Sequence, residues 1–424
     1  MQTKLEIQKL KISEIIPSSY NPRVDLQAHD PEYQKLKRSI LEFGYVEPIV
    51  WNKCTRNLVG GHQRLKILIA EGVTEVEASI VDLPIEKEKA LNLALNQIRG
   101  GGWDEEKLVA ILDELSKLPD FDEVALTGFD KEEISEIFDK YQETPNDDYD
   151  AATDAESVEE PITKPGEIIQ LGPHRIICGD SSKSETLEAL FGSNRANLLH
   201  CDFPYNVNYG GGDRPNPNTR PKKSRDWKKI YSDNMPQKEY EAWMRKVFEN
   251  IKNHLLPGSP AYVWQGHRQF PPMYQIMLDL GFHVSCVIVW FKEHASIAFS
   301  DYSWASEQCL YGWLEGAPHF WAGEPGSSNV WNVKRDPTKG YIHPTQKPIA
   351  LPQMAIKNSS QRGDIVVDTF LGSGSTLYAS HLLGRRFYGC ELDGAYIDAT
   401  IRKFAQLFPQ DIPVDLKSRY AKEK

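Results

Sequence analysis

Cysteine is scarce in this chain, with six residues among 424 (Cys54, Cys178, Cys201, Cys286, Cys309 and Cys390). They form no Cys-x-x-C pair and no paired Cys/His spacing, so neither a zinc site nor a disulfide framework is expected, and no metal. Apolar runs are short as well. None approaches the roughly 20 residues that cross a bilayer, so no membrane association is expected. Residues 1–16 alternate charge with aliphatics and lack the apolar stretch of a secretory signal, which leaves a cytoplasmic location as the expectation. Positive charge is in deficit, 49 Lys and Arg against 60 Asp and Glu, for a net charge of -11. A basic footprint over the whole surface is thereby excluded, and any contact with a polyanion has to be local.

Charge is instead segregated. Residues 143–160 read ETPNDDYDAATDAESVEE, acidic and nearly free of large aliphatics, whereas residues 220–229 read RPKKSRDWKK. The acidic stretch, continued through Pro161 and Pro165, buries too little apolar surface to fold alone and reads as a linker over 143–165. In front of it, residues 1–100 mix short strands with helices. Pro31–Phe43 carries Leu36, Ile40 and Phe43 at helical spacing before Gly44, strands are expected at 10–16, 48–51, 57–59 and 76–81, and helices at 65–71 and 86–97. A helical extension over 101–142 follows, with two amphipathic helices from 104 to 141.

Behind the linker, residues 166–424 alternate strands and helices. Strands are expected at 175–178, 196–201, 261–264, 283–290, 365–368 and 387–390, the pattern of an α/β fold whose doubly wound sheet is mostly parallel. Residues 210–336, rich in Trp, Gly and Pro, read as an insert.

Three motifs in this second part carry chemistry. In Ile365-Val366-Val367-Asp368-Thr369-Phe370-Leu371-Gly372-Ser373-Gly374-Ser375-Thr376 an aliphatic strand ends in an acid, then a glycine turn, then a helix; glycine there lets backbone approach a ligand closely. One βα unit later, Glu391 and Asp393 follow the strand Phe387-Tyr388-Gly389-Cys390, where a carboxylate suits two ribose hydroxyls. In Leu198-Leu199-His200-Cys201-Asp202-Phe203-Pro204-Tyr205 a strand delivers an Asp, a stiffened turn and a Tyr to the end of the sheet where such folds bind ligands. Tyr341-Ile342-His343-Pro344-Thr345-Gln346-Lys347-Pro348 precedes the helix leading into Ile365.

Together these residues resemble the amino-methyltransferase family of DNA modification enzymes. Asp202-Phe203-Pro204-Tyr205 resembles its Asp-Pro-Pro-Tyr catalytic motif, Asp368 to Gly374 its Phe-x-Gly-x-Gly cofactor motif, Gly179-Asp180 its short acidic motif, and His343 to Pro348 its His-Pro-x-x-Lys-Pro element. The resemblance implies a Rossmann-like fold and S-adenosylmethionine as cofactor, seated by Asp180, Lys347, Pro348, Asp368, Phe370, Gly372, Gly374, Ser375, Thr376, Glu391 and Asp393. It implies methylation of an exocyclic amine in double-stranded DNA, with the base flipped. Asp202 and a nearby carbonyl would accept the amine protons and Tyr205 would stack on the base. The catalytic motif comes before the cofactor motif, an order resembling the permuted class called β. In that class the insert, here 210–336, reads the target sequence, with Arg220, Lys222, Lys223, Arg225, Lys228 and Lys229 as DNA-binding candidates. Asp at 202 favours adenine N6, since cytosine-N4 members commonly carry Ser there. The chain has no Pro-Cys dipeptide, which argues against a C5-cytosine mechanism.

In front, Asn21-Pro22-Arg23, Gly44 to Ile49 and Gly60-Gly61-His62-Gln63-Arg64 resemble a small α+β ParB/sulfiredoxin-like domain. Its Gly-rich turn (Gly60, Gly61, His62, Arg64) would bind phosphates of a nucleotide at a helix N-terminus. Gln63 stands where many relatives have a second Arg, which argues against strong nucleotide hydrolysis, and no Cys lies in the turn for sulfiredoxin chemistry. For the helices from 104 to 141, homodimer formation and DNA contact both stay open. The fusion points to a restriction-modification, phage or mobile-element setting. Cytosine N4 as the target and a non-catalytic DNA-binding or partition-type protein remain the alternatives.

Overall fold

The computed structural model describes residues 6–99, 102–116, 126–130, 160–206, 235–292, 304–333 and 347–421, with isolated positions at 133–158 and 301–302. Two compact units result, Met1–Tyr141 and Gln142–Lys424. In the first, β1 (Ile7–Lys11), β2 (Ile16–Pro17), β3 (Ile49–Asn52), β4 (Asn57–Gly60) and β5 (Glu75–Val81) form a mixed sheet of order β1-β5-β3-β4-β2. Helices α1 (Pro31–Phe43), α2 (His62–Ala70), α3 (Ile85–Arg99) and α4 (Glu105–Ser116) accompany it. Pro31 opens α1, where its missing N–H costs nothing, and Gly44 at φ 79° ends it. The strand expected at 10–16 is shorter, because the chain leaves β1 at Lys11 for a 3-10 turn over Ile12–Glu14. Behind the sheet Glu88 is fully buried and accepts hydrogen bonds from Tyr20 (2.5 Å), Asn52 (2.5 Å), Thr55 and Asn57 (2.7 Å). Burial works against its charge, but these donors outweigh it and hold the carboxyl below its ordinary pKa.

In the second unit nine strands form one sheet, β6 (Ile168–Leu171), β7 (His174–Cys178), β8 (Leu198–Asp202), β9 (Pro260–Gln265), β10 (Phe282–Phe291), β11 (Ser306–Leu314), β12 (Val330–Asn332), β13 (Ile365–Asp368) and β14 (Arg386–Glu391). Their order is β12-β10-β11-β9-β8-β13-β14-β7-β6. The middle five, β7, β14, β13, β8 and β9, are parallel. Helices α5 (Ser184–Phe191), α6 (Gln237–Lys252), α7 (Phe270–Asp279), α8 (Ala350–Ser359), α9 (Ser375–Leu382), α10 (Gly394–Leu407) and α11 (Val414–Tyr420) complete it. Every residue of β9 and β13 is buried, the signature of strands covered on both faces. From the β8/β13 pair the chain steps outward in opposite directions, to β9 through α6 and to β14 through α9. That switch opens a crevice at the carboxyl ends of the two strands.

Two expectations need correction. The segment 210–336 is not one insert, because α6, β9, α7, β10, β11 and β12 all lie within it and all six contribute to the unit's core. Its tryptophans misled: Trp264 and Trp290 meet edge to face at 6.5 Å in the core, with Trp331 beside them. Its Gly312 lies in β11 opposite a bulge of β10, where a Cβ would fall 2.0 Å from the His283 carbonyl oxygen. The acidic linker is also not open throughout. Asp398 of α10 accepts the N–H groups of Ile162 (2.7 Å) and Thr163 (3.0 Å) and the Thr163 hydroxyl (2.6 Å). Asp154 pairs with Arg402 at 2.7 Å, and Ala155 packs on Ala395 and Ala399. Average acidity hid these small anchoring residues.

His174 is fully buried in β7, accepts the Phe387 N–H at Nδ1 (3.0 Å) and faces His381 Nδ1 from Nε2 (3.1 Å). Burial first, then His381, lowers its pKa from 6.5 to about 3. Below pH 6.5 the unfolded chain therefore takes up a proton that the folded chain refuses, and this part of the stability is lost as pH falls. The cost of His174→Gln in urea unfolding should accordingly shrink by about 2 kcal/mol between pH 7 and pH 5. A cost independent of pH would refute the assignment.

Candidate active site at the strand ends

Four adjacent parallel strands bring a carboxylate to the crevice: Asp180 just past β7, Glu391 closing β14, Asp368 closing β13 and Asp202 closing β8. They differ in what they can still bind. Asp368 is 4% exposed, with one oxygen accepting the Phe370 N–H (3.0 Å) and the other the Thr376 hydroxyl (2.8 Å). Trp264, which can only donate, gives its indole N–H to His200 Nε2 (3.1 Å), so His200 carries its proton on Nδ1 and donates to Thr376 (3.0 Å). A one-way chain from Trp264 through His200 and Thr376 thus ends on Asp368. Burial, then Lys347, drops the His200 pKa to about 3, and burial lifts that of Asp368 to about 7 against its two donors. Asp368 and Thr376 thereby hold the loop from within.

Glu391 fastens the same loop from the other side. Its two oxygens accept the N–H groups of Gly372 (3.0 Å) and Asp393 (3.0 Å), and burial raises its pKa. Asp393 caps α10 through the Ala395 N–H (2.9 Å), and Asp180 closes a turn on Ser182 (2.9 Å). Gly374, at φ 83°, has no room for a Cβ, which would sit 2.6 Å from Thr400. At Gly372 (φ 50°) the nearest atom would be the Phe370 oxygen at 3.7 Å. The Gly372 backbone is thus less crowded than that at Gly374, with its N–H on Glu391 and its carbonyl accepting the Thr400 hydroxyl (3.1 Å). Ser375 starts α9 half-buried, and Phe370 packs its ring on Phe203 at 4.8 Å.

On the β8 side, Phe203 is 1% exposed and lies between Phe370 and Phe248, so it is a core residue of the turn and not a group facing the crevice. The Pro204 carbonyl accepts the Tyr240 hydroxyl, which pins the turn. Lys347, 6% exposed, donates to Asp202 Oδ2 and to the Tyr205 hydroxyl (3.1 Å) and lies 3.2 Å from Glu307. Tyr205 donates in turn to Glu307 (3.1 Å), whose other oxygen pairs with Lys292. Burial opposes the Lys347 charge, but Asp202 and Glu307 reverse this and raise its pKa; Glu307 is held at about 2 against burial by Lys347 and Lys292. Asp202 Oδ1 is buried without a hydrogen-bond partner among the described residues, and burial raises the Asp202 pKa against the pull of Lys347.

Sequence reasoning placed Lys347 and Pro348 with the cofactor; the structure brings Lys347 to Asp202. It missed Glu307 and Lys292. Their signal was an acid at the start and a base at the end of strongly apolar strands, which hairpin pairing of β10 with β11 sets side by side. Arg220, Lys222, Lys223, Arg225, Lys228 and Lys229, and His343 to Gln346, lie outside the described residues. In the first unit Gly61 (φ 92°) opens α2, His62 bonds Ser18 (2.8 Å), and Arg64 is buried against Glu47, so its guanidinium is already engaged. Gly60 lies on β4 just before.

A mostly parallel doubly wound sheet with acids at its switch point defines a Rossmann-like domain. Residues 319–402 match the DNA methylase family and residues 1–97 the ParB N-terminal domain. It is 24% identical over 246 residues to Type II methyltransferase M.BglII of Bacillus subtilis, covering 48% of this chain and 62% of that protein. With Type II methyltransferase M.HpaI of Haemophilus parainfluenzae it shares 26% over 255 residues, covering 53% and 72%. The solved M1.HpyAVI–SAM complex is similar at 20% identity and a TM-score of 0.39, over 54% of this chain and 98% of that one. Among the described residues no helix is long and apolar enough to cross a membrane.

Proposed function

We propose that this chain transfers a methyl group from S-adenosylmethionine to the exocyclic amine of a base in double-stranded DNA, adenine N6 in the first place. The observation that carries this reading is Asp202 Oδ1, a buried acceptor with no hydrogen-bond partner among the described residues, at the switch point and beside a loop held by Glu391. An amine conjugated to its ring is a poor nucleophile, and an acceptor for its N–H returns electron density to nitrogen. Asp202 would take one N–H through Oδ1 and receive the proton that nitrogen releases. Lys347 on Oδ2 holds the carboxylate still and favours its charged form. Tyr205, fixed through its hydroxyl, offers a ring to a base turned out of the stack. S-adenosylmethionine, when bound, supplies an electrophilic methyl group whose carbon–sulfur bond breaks with the electron pair left on sulfur.

The residues fit that group. The less crowded backbone at Gly372 allows close approach, and the Glu391 carboxylate beside it suits ribose hydroxyls. Asp rather than Ser at position 202 favours adenine over cytosine by the family resemblance, and the order of motifs supports the permuted class. The basic residues at 220–229 are the candidates for holding phosphates. Tritiated methyl transfer to duplex DNA, followed by nucleoside chromatography, tests the reading. Label is expected in N6-methyladenosine. Label in N4-methylcytosine overturns the base, and no label with cofactor bound overturns the reaction.

A further inference from the structure

Four charges meet beside the amine site, and two of them have no role in the reaction as written. Lys347 is shared: Asp202 takes it on one side and Glu307, with the Tyr205 hydroxyl, on the other. Glu307 is in turn shared between Lys347 and Lys292, and Lys292 lies 5.0 Å above the Trp290 ring. The order in space is Lys292, Glu307, Lys347, Asp202, alternating in sign and drawn from the residue just past β10, from β11, from the segment before α8, and from β8. Such a row is a divider. What Glu307 takes from Lys347, Asp202 does not receive.

We propose that Glu307 and Lys292 are positioning residues for methyl transfer, setting how strongly Lys347 holds Asp202 and fixing the Tyr205 ring through its hydroxyl. This rests on the methyl-transfer reading. A carboxylate bound too tightly by an ammonium is a weak acceptor for an amine, and one left unbound is neither ionised nor oriented in a buried place. Glu307 keeps Lys347 between these limits, and Lys292 keeps Glu307 from capturing Lys347 outright. The other groups near Asp202 are Asp368 on β13, His200 and Cys201 on β8, Cys309 on β11 and Tyr205. Among the described residues none of these supplies a second cation.

The row makes opposite predictions for its two outer members. The Glu307 charge raises the proton affinity of Asp202, so Glu307→Gln removes that influence and should move the acid limb of the kcat profile to lower pH. Lys292→Met leaves Glu307 uncompensated and should move the limb to higher pH. The double variant restores neutrality and should return the limb towards the wild-type position. Each single change should lower kcat about tenfold to a hundredfold at neutral pH, the range that loosened positioning costs. Affinity for S-adenosylmethionine, measured by calorimetry on the same preparations, should hold.

The experiment is the pH dependence of tritiated methyl transfer to duplex DNA by the full chain and these three variants, with thermal melts alongside. Should Glu307→Gln fail to fold, Lys292→Met and the double variant still carry the comparison. Limbs that stay put, or that move in the same direction for both single variants, overturn the inference while methyl transfer stands. Absence of transfer by the unaltered chain overturns the methyl-transfer reading and the inference with it.

Discussion

Asp202→Ala is expected to lower methyl transfer about a thousandfold, the scale on which loss of one polar group at a reacting atom is felt. S-adenosylmethionine should still bind, because the loop at Gly372 is fastened through Glu391 at the end of β14, a bond in which Asp202 takes no part. Kinetics and equilibrium binding on one preparation separate the two. If turnover and cofactor affinity fall together, Asp202 is a folding residue, and the unpartnered Oδ1 has been misread. Asp202→Asn sharpens the comparison. It keeps the shape and removes the charge, and Lys347 then has Glu307 as its only carboxylate contact within 4.0 Å among the described residues.

Lys347→Met is expected to cost about 3–5 kcal/mol of stability, more than any other single change at the site. The reason is the asymmetry of buried ion pairs. The pair adds little over apolar residues of the same volume, but removing one partner strands the other in a place with little water. Here a single substitution removes the cation that Asp202 and Glu307 share and leaves Glu307 with Lys292 alone among the described residues. Denaturant unfolding reads the loss directly. A second substitution, Glu307→Gln in the same chain, should recover part of it. A Lys347→Met protein as stable as the parent would mean that water already screens the row.

Much of this was legible in the sequence, and the reasons differ by residue. The helix Pro31–Phe43 was readable because Pro31 and Gly44 punctuate a regular apolar spacing. The strand Ile365–Asp368 was readable because it is buried on both faces and runs apolar into an acid. Asp202 and Glu391 were found for the same reason, since a carboxylate ending an apolar strand is costly unless it has work there. The strand Ser306–Leu314 was not found. Covered on both faces and broken by Gly312, it shows neither alternation nor a clean apolar run. Glu307 was lost with it. Its pairing with Lys292 depends on the register of a hairpin, and its contact with Lys347 spans two more segments, information that no local window holds. The bonds that Asp368 and Thr376 make to the loop were not legible, because a motif names residues and not the direction in which they face.

The row of Lys292, Glu307, Lys347 and Asp202 has a further consequence. Two positive and two negative groups sum to zero, so the place where an amine would sit has strong local fields and no net charge. A neutral base meets no net charge from this row, and the row offers a phosphate no excess of positive charge. On a chain with a net charge of -11, the attraction that brings a polyanion has to come from surfaces elsewhere. Salt should then govern how often the substrate arrives and leave almost untouched what happens once it has arrived.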